Sequence, residues 1–199
     1  MEIKNKIFKE IYTKTLNHKK KGFIIVDGIT CSGKTSFSKS LRSYLKKKKI
    51  KSVIISKDLF LKSRKHRIKL LKMKSKSYID QNSNHYDLLR FKDLLINLNN
   101  EKKKSRLINL EKLYNRKTGL NDATYKLKTK PDLLYIIEGL YILNDLPKEN
   151  KTIAKILLIN DLYNSLSKKF ERIRDKSINL ESVIDEFKKI HLRSFLRYI

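Results

Sequence analysis

Short, continuous apolar runs alternate along this chain with longer stretches in which apolar side chains recur every three or four residues. The runs that are rich in β-branched residues predict buried strands over 23–26, 52–56, 132–139 and 154–159. Runs of this kind are typical of parallel strands that are covered on both faces. A shorter apolar stretch over 107–110, followed by polar residues up to Gly119, predicts a further strand and a turn.

The longer stretches predict amphipathic helices, the first of them a leading helix over 1–20 with Ile3, Ile7, Phe8 and Ile11 on one face. Similar spacing predicts helices over 36–47, 87–98, 162–173 and 180–190. Strands that alternate with helices indicate a three-layer α/β fold with a mostly parallel sheet flanked by helices. A chain of 199 residues with 40% hydrophobic content can bury one sizeable core, so we expect a single domain over 1–199.

The region over 57–86 lacks this regularity. Between Leu61 and Asn84 it is polar, basic and only weakly periodic. Long segments of this kind often cover a bound substrate, so we expect a mobile substrate-side segment here. Disorder without such a role is the alternative interpretation.

The stretch from Gly28 to Thr35, GITCSGKT, fits the phosphate-binding Walker A pattern G-x-x-x-x-G-K-[ST] at every fixed position. It also lies between a predicted strand and a predicted helix, which is the structural context that this motif requires. We expect a P-loop that binds ATP with Mg²⁺, in which Lys34 carries charge to the outer phosphates and Thr35 offers its hydroxyl to the metal. The expected nucleotide-binding residues are Gly28, Ile29, Thr30, Cys31, Ser32, Gly33, Lys34, Thr35 and Ser36.

Two acidic residues follow predicted strands. Asp58 comes just after the strand over 52–56, and Glu138 ends the strand over 132–139, immediately before Gly139. Ligands of open α/β sheets bind at the carboxyl ends of the strands, so both carboxylates are expected to face the phosphates. Asp58 could then accept a proton, and Glu138 could hold the metal or its waters. A capping or loop role for Asp58 and a structural role for Glu138 are the alternatives.

Several other polar residues are candidates for ligand contacts. Tyr114 and Arg116, near the predicted turn, could face a ligand or simply water. Lys168, Lys169, Arg172 and Arg174 lie on or near the polar side of the helix predicted over 162–173, where cations can clamp phosphates. The four histidines show no spacing typical of metal ligands, so a zinc site is not expected.

The amino-acid composition limits the remaining classes of function. The formal net charge is +28, but it comes from 38 lysines and only 10 arginines spread along the chain, a pattern that an AT-rich genome imposes on solvated positions. A dedicated RNA or membrane surface is therefore disfavoured. With one cysteine, Cys31, no internal disulfide can form, and we expect the charged N-terminus to be neither a signal peptide nor a membrane span. A cytoplasmic location is expected.

Several segments together resemble the uridine kinase and phosphoribulokinase family of P-loop kinases, namely DGITCSGKT, ISKDLF, NHYDLLRF, IIEGLYIL and FERIRDKS. The resemblance spans nearly the whole chain. It implies that Asp58 is the general base on the acceptor hydroxyl and that Glu138 assists the metal held by Thr35. It further implies that 172–180 is a lid from which Arg172 and Arg174 stabilise the transferring phosphoryl group.

The chain departs from the family pattern on the acceptor side. Leu61 and Gly119 stand where uridine kinases usually carry a tyrosine and a histidine, and the D-H-P motif is degraded, leaving Asp80 as a candidate for sugar contacts. The leading expectation is phosphorylation of a pyrimidine nucleoside at its 5′-hydroxyl, with Asp58, Asp80, Tyr114 and Arg116 binding it. Pantothenate and nicotinamide riboside are alternative acceptors, and a non-catalytic nucleotide switch or RNA-binding protein is the alternative class.

Overall fold

The computed structural model describes residues 2–18, 21–72, 85–100, 105–148, 150–159, 162–171, 181, 183–184 and 187–188. Its helices are α1 (Glu2–Asn17), α2 (Lys34–Lys47), α3 (Arg64–Lys72), α4 (Leu88–Asn99) and α5 (Leu162–Glu171). Its strands are β1 (Gly22–Gly28), β2 (Ser52–Ser56), β3 (Leu107–Leu113), β4 (Ala123–Lys128), β5 (Leu134–Glu138) and β6 (Thr152–Leu158). Short 3₁₀ turns follow β2 at Lys57–Phe60 and β5 at Ile142–Asp145.

Four strands form a parallel sheet in the order β2-β5-β1-β6. Strand β5 therefore lies between β1 and β2, although it comes much later in the sequence. Glu138 is in register with Val26 of β1 on one side and with Ser56 of β2 on the other. The loops that leave these three strands consequently meet at one edge of the sheet.

Every residue of β1 and β5 is buried, as their continuous apolar runs predict. Because side chains alternate across a strand, Ile24 and Val26 face α1 and α2, whereas Phe23 and Ile25 face α4. Burying a side chain of this size stabilises the fold by roughly 1.5–3 kcal/mol. The predicted mostly parallel sheet flanked by helices is confirmed.

The face of the sheet that packs on α4 is also covered by an antiparallel ribbon of β3 and β4. The prediction of a strand and a turn was correct for β3, but β4 was not predicted. Its sequence, ATYKLK, alternates apolar and polar residues in step with its burial, so this period-2 pattern could have identified the strand. Part of the segment expected to be mobile forms the helix α3, and 73–84 lie outside the described residues.

One packing expectation was wrong, and two predicted apolar helix faces are only partly buried. Strand β6 was expected to be buried, but it lies at the edge of the sheet with only Ile153 buried. In α1, Ile3 is exposed while Phe8 and Ile11 are buried, and in α5 Phe170 is 43% exposed. Of the last predicted helix, Val183 and Phe187 are buried as expected, and most of the remainder lies outside the described part of the chain.

Candidate active site

The predicted phosphate loop leads from the end of β1 to the first residue of α2, as the motif requires. Gly28 and Gly33 both have positive φ, at 147° and 89°, in conformations that L side chains rarely adopt. A Cβ at Gly28 would also lie 2.3 Å from the carbonyl oxygen of Leu158 in β6. Both glycines are therefore needed to shape a loop that presents the N-terminus of α2 to an anion.

The loop fits the phosphates of a nucleotide. Lys34 Nζ donates hydrogen bonds to the carbonyl oxygens of Gly28 and Ile29, at 2.9 and 2.6 Å, which holds the ammonium over the concave side of the loop. Burial lowers the pKa of Lys34, and the nearby carboxylates of Asp58 and Glu138 oppose that effect. The Ser32 hydroxyl is buried without a hydrogen-bond partner among the described residues, which suits a group that donates to a phosphate oxygen.

A buried carboxylate, Asp27, ties this loop to the turn after β5. Its Oδ1 accepts from the backbone N–H groups of Gly28 (2.7 Å) and Tyr141 (2.9 Å), and its Oδ2 accepts from the N–H of Ile142 (2.7 Å). Asp27 is only 1% exposed, so these charge-assisted bonds compensate for its desolvation. Asp27 belongs to the segment DGITCSGKT, but the sequence pattern did not indicate this role.

The structure brings the two predicted metal-binding residues together. Thr35 Oγ1 donates a hydrogen bond to Oε2 of Glu138 at 3.2 Å. A hydroxyl at the start of α2 and a carboxylate at the end of β5 form an all-oxygen pair, the kind of ligand that Mg²⁺ prefers. The donor set therefore fits that ion.

Asp58 lies in the 3₁₀ turn after β2 and is bound from two sides. Its Oδ1 accepts a hydrogen bond from the Tyr86 hydroxyl at 3.1 Å, and its Oδ2 is paired with the guanidinium of Arg116. Burial, followed by the charge of Asp58, raises the pKa of Tyr86 well above its ordinary value, so Tyr86 stays a donor. Sequence reasoning did not identify Tyr86.

The neighbour of Asp58 is a fully buried lysine. Lys57 Nζ donates to Oδ2 of Asp145 at 2.7 Å and to the carbonyl oxygen of Leu140 at 2.8 Å. It also lies 4.6 Å from the centre of the Tyr86 ring and 5.9 Å from that of Phe91. Burial lowers the pKa of Lys57, whereas the charge of Asp145 and its hydrogen bond raise it.

Two adjoining cavities open at this edge of the sheet. A phosphate-side cavity of about 310 Å³ is lined by the phosphate loop, and an acceptor-side cavity of about 340 Å³ is lined by residues that include Leu59, Tyr114, Asn115 and Ala123. Both cavities are lined by Thr35, Asp58, Arg116 and Glu138. A ligand bound in one cavity can therefore contact a ligand bound in the other at the position of these four side chains.

On the acceptor side, Tyr114 is nearly buried at 7% exposure. Arg67 of α3 lies over its ring at 4.8 Å from the centre and donates to its hydroxyl at 2.7 Å. One face of the ring is thus already occupied, which restricts where a planar ligand can stack. Arg67 and Asn115 were missed because they lie in a weakly patterned segment and a turn.

A larger cavity of about 530 Å³ lies at the opposite edge of the sheet. Its lining includes six cations, namely Arg42, Lys46, Lys49, Lys51, Lys128 and Lys130. It contains no residue of the phosphate loop and neither of the acids Asp58 and Glu138. Size alone therefore does not locate the candidate site, and the convergence of predicted residues does.

Most predicted site residues meet at the carboxyl edge of the sheet. Asp80, Arg172 and Arg174 lie outside the described residues. The same is true of the predicted lid over 172–180 and of residues 73–84 in the predicted substrate-side segment. No helix in the described part of the chain is both long and apolar enough to cross a membrane.

Comparisons with known proteins agree with this fold. The chain resembles the structure of a "possible uridine kinase" from Bacillus stearothermophilus, with a TM-score of 0.64 and 16% identity over 89% of this chain and 80% of the other. It also resembles a "putative fructose transport system kinase" from Silicibacter sp. TM1040, with a TM-score of 0.63 and 16% identity over 89% and 84% of the two chains. At this identity these likenesses show the fold alone.

A search of curated protein sequences found no match. The family model described as "Phosphoribulokinase / Uridine kinase family", however, matches residues 23–199, which is most of the chain and includes the phosphate loop, both acids and the predicted lid. The chain therefore belongs to the phosphoribulokinase and uridine kinase family of P-loop kinases.

Proposed function

We propose that this kinase transfers the γ-phosphoryl group of ATP to the 5′-hydroxyl of a pyrimidine nucleoside, with Mg²⁺ as cofactor. The observation that carries the proposal is the position of Asp58, whose side chain lines both the phosphate-side and the acceptor-side cavity. A base at this junction can take the proton of an acceptor hydroxyl as that oxygen attacks the phosphorus. A nucleotide switch or an RNA-binding surface does not require a base at this junction.

On the phosphate side, the backbone N–H groups of the loop and the Lys34 ammonium bind the outer phosphates. Thr35 and Glu138 would hold the metal, and Mg²⁺ when bound would neutralise charge on the phosphate oxygens. Arg172 and Arg174, which the family resemblance assigns to the lid, would add positive charge to the transferring group. The proposed catalytic residues are thus Lys34, Asp58, Arg172 and Arg174.

Around the base, Tyr86 orients one carboxylate oxygen of Asp58 through its hydroxyl, at 3.1 Å. The other oxygen is paired with Arg116, which is 68% exposed at its side chain and can turn towards a ligand. If Arg116 turns to the acceptor, Oδ2 of Asp58 is released to accept the hydroxyl proton. Asp80, in the segment before α4, remains the proposed contact to sugar hydroxyls.

The acceptor-side cavity supports a nucleoside in three ways. Leu59 and Ala123 give it apolar surface, Tyr114 contributes an aromatic ring, and Asn115 and Arg116 contribute hydrogen-bond donors for carbonyl oxygens. The cavity volume of about 340 Å³ is within the range of small-molecule sites. Because Leu61 and Gly119 replace polar family residues, we expect weak discrimination between related nucleosides.

A second candidate acceptor, pantothenate, is favoured by the contact between Arg116 and Asp58. A substrate carboxylate could take the place of Asp58 on the guanidinium and thereby free the base. The same cation disfavours nicotinamide riboside, which is itself positively charged.

The test is a transfer assay in which the purified protein is incubated with labelled ATP, Mg²⁺ and, separately, uridine, cytidine, nicotinamide riboside or pantothenate. We expect uridine and cytidine to be phosphorylated at comparable rates, with the label at the 5′ position. The matched control is Asp58→Asn, which keeps the shape of the side chain but removes its basicity.

Transfer to pantothenate alone would refute the nucleoside assignment, but the assignment as a kinase would still hold. Strong binding of RNA that weakens steeply with salt, without transfer to any acceptor, would instead support the binding-protein alternative.

A further inference from the structure

We propose that Lys57 is a positioning residue for phosphoryl transfer, which fixes the geometry of the base Asp58 through the Tyr86 ring and the turn after β5. This inference rests on the proposed function, in which Asp58 accepts the hydroxyl proton. Lys57 itself does not face the cavities and lines neither of them. Neither the family resemblance nor the sequence pattern assigned it a role.

The first observation is that Lys57 belongs to a continuous chain of contacts that ends on the base. Asp145 binds the Lys57 ammonium at 2.7 Å, the ammonium lies 4.6 Å from the centre of the Tyr86 ring, and the Tyr86 hydroxyl donates to Asp58 at 3.1 Å. A cation at this distance from a ring is held by the ring's negative face. The ring therefore cannot rotate away from Asp58 without breaking a buried contact.

The second observation is that Lys57 joins the two loops that carry the acids. Its Nζ also donates to the carbonyl oxygen of Leu140 at 2.8 Å, two residues after Glu138. Lys57 also packs closely against Gly139. A Cβ added to Gly139 would lie only 2.6 Å from the Cβ of Lys57. The backbone at Asp58 is thus clamped to the end of β5, where Glu138 faces the metal position.

The third observation is the energetic cost of such an arrangement. Lys57 is 0% exposed and Asp145 only 6%, and a buried ion pair of this kind is often no more stabilising than apolar residues of similar volume. An apolar side chain could fill the same space but could not hold Leu140, Asp145 and the Tyr86 ring at once. Geometric control of the base accounts for a charged residue at this position.

The experiment is a double-mutant cycle on kcat, with Lys57→Met and Asp58→Asn separately and together. Lys57→Met keeps the length of the side chain and removes its charge and donors. We expect kcat to fall about tenfold, since a base displaced by a fraction of an ångström loses part of its alignment, while the KM for ATP stays within about twofold. In the Asp58→Asn background the same change should lower kcat by less than about twofold, because no base remains to be positioned.

The matched control is Lys51→Met. Lys51 is also paired with an aspartate, Asp132 at 2.8 Å, but this pair is exposed and lies at the opposite edge of the sheet. We expect the kcat of Lys51→Met to equal that of the unaltered protein. If thermal unfolding shows that Lys57→Met does not fold, the same cycle with Asp145→Asn tests the proposal instead. We expect Asp145→Asn to lower kcat about fivefold, and we expect this loss to disappear in the Asp58→Asn background.

The inference is overturned if Lys57→Met leaves kcat unchanged, or if its effect is equally large with and without the Asp58 carboxylate. The latter result would indicate a role in stability alone. Failure of the proposed function is separately visible, because Asp58→Asn by itself would then retain full turnover.

Discussion

Thr35 at the start of α2 donates a hydrogen bond to Glu138 at the end of β5, although 103 residues separate them in the sequence. The distance between Thr35 Oγ1 and Glu138 Oε2 is 3.2 Å. The contact arises because β5 lies beside β1 in the sheet, so that the two loops leave at the same edge. It gives the proposed metal site a preformed pair of oxygen atoms.

We therefore predict that Glu138→Gln raises the Mg²⁺ concentration required for half-maximal activity by about tenfold or more, because an amide oxygen binds a hard cation less well than a carboxylate. The measurement is a Mg²⁺ titration of initial rates at saturating ATP. Glu111→Gln, at an exposed position in β3, is the control. An unchanged Mg²⁺ requirement in Glu138→Gln would exclude Glu138 as a metal ligand.

Asp58→Asn should lower kcat by about 10²-fold or more while ATP binding is retained, because the amide cannot take up the hydroxyl proton. Turnover is measured by the transfer assay, and ATP affinity by equilibrium titration of the same preparation. Tyr86→Phe, which removes only the donor to Asp58 Oδ1, should give a smaller loss. Equal turnover in Asp58→Asn and the unaltered protein would contradict the role of general base.

Tyr114→Ala should raise the KM for the acceptor by about fivefold, in line with the loss of one aromatic contact. Tyr114→Phe keeps the ring and loses only the oxygen that accepts from Arg67, so we expect its KM to change by less than about twofold. Steady-state kinetics with a varied acceptor provide the measurement, and thermal unfolding checks that both variants are folded. A KM in Tyr114→Ala that matches the unaltered protein for every accepted substrate would remove Tyr114 from the acceptor site.

Gly139→Ala should destabilise the protein by about 1–3 kcal/mol, since the added methyl group would lie 2.6 Å from the Cβ of Lys57 and neither backbone can easily move. Urea unfolding gives the change in the free energy of unfolding. We also expect a lower kcat, because relief of this contact displaces the turn that carries Asp58. A stability equal to that of the unaltered protein would show that the two loops are less tightly joined than the structure indicates.

The pair of Lys51 and Asp132 predicts a small pH dependence of stability. The hydrogen bond from Lys51 lowers the pKa of Asp132, so the folded state favours the carboxylate form. The resulting stability is present above the ordinary aspartate pKa of about 3.9 and is lost as the pH falls through the lower folded value. Because both side chains are exposed, we expect less than about 1 kcal/mol.

The measurement is the free energy of unfolding in urea between about pH 2 and pH 6, for the unaltered protein and for Asp132→Asn. The variant should show a flatter dependence on pH over this interval. A steeper one would contradict the assigned sign.

The sequence by itself determined the elements whose signals are local. The phosphate loop could be predicted because its glycines, Lys34 and Thr35 occupy fixed spacings next to one another, and β1 and β5 could be predicted because both are continuous apolar runs. Asp58 and Glu138 could be predicted as site residues because carboxyl ends of parallel strands share one edge. For β6 the same apolar signal was misleading, since an edge strand needs fewer buried residues.

The tertiary structure alone decided how these parts meet. Nothing local specifies that β5 enters between β1 and β2, yet that order brings Glu138 to Thr35. In the same way Lys57 binds Asp145, which is 88 positions away in the sequence. Arg67, in a helix that was not predicted, contacts Tyr114, which is 47 positions away. These contacts depend on the pairing of distant segments, whose free energy comes from burial and hydrogen bonding in the assembled fold and leaves no periodic pattern in the chain.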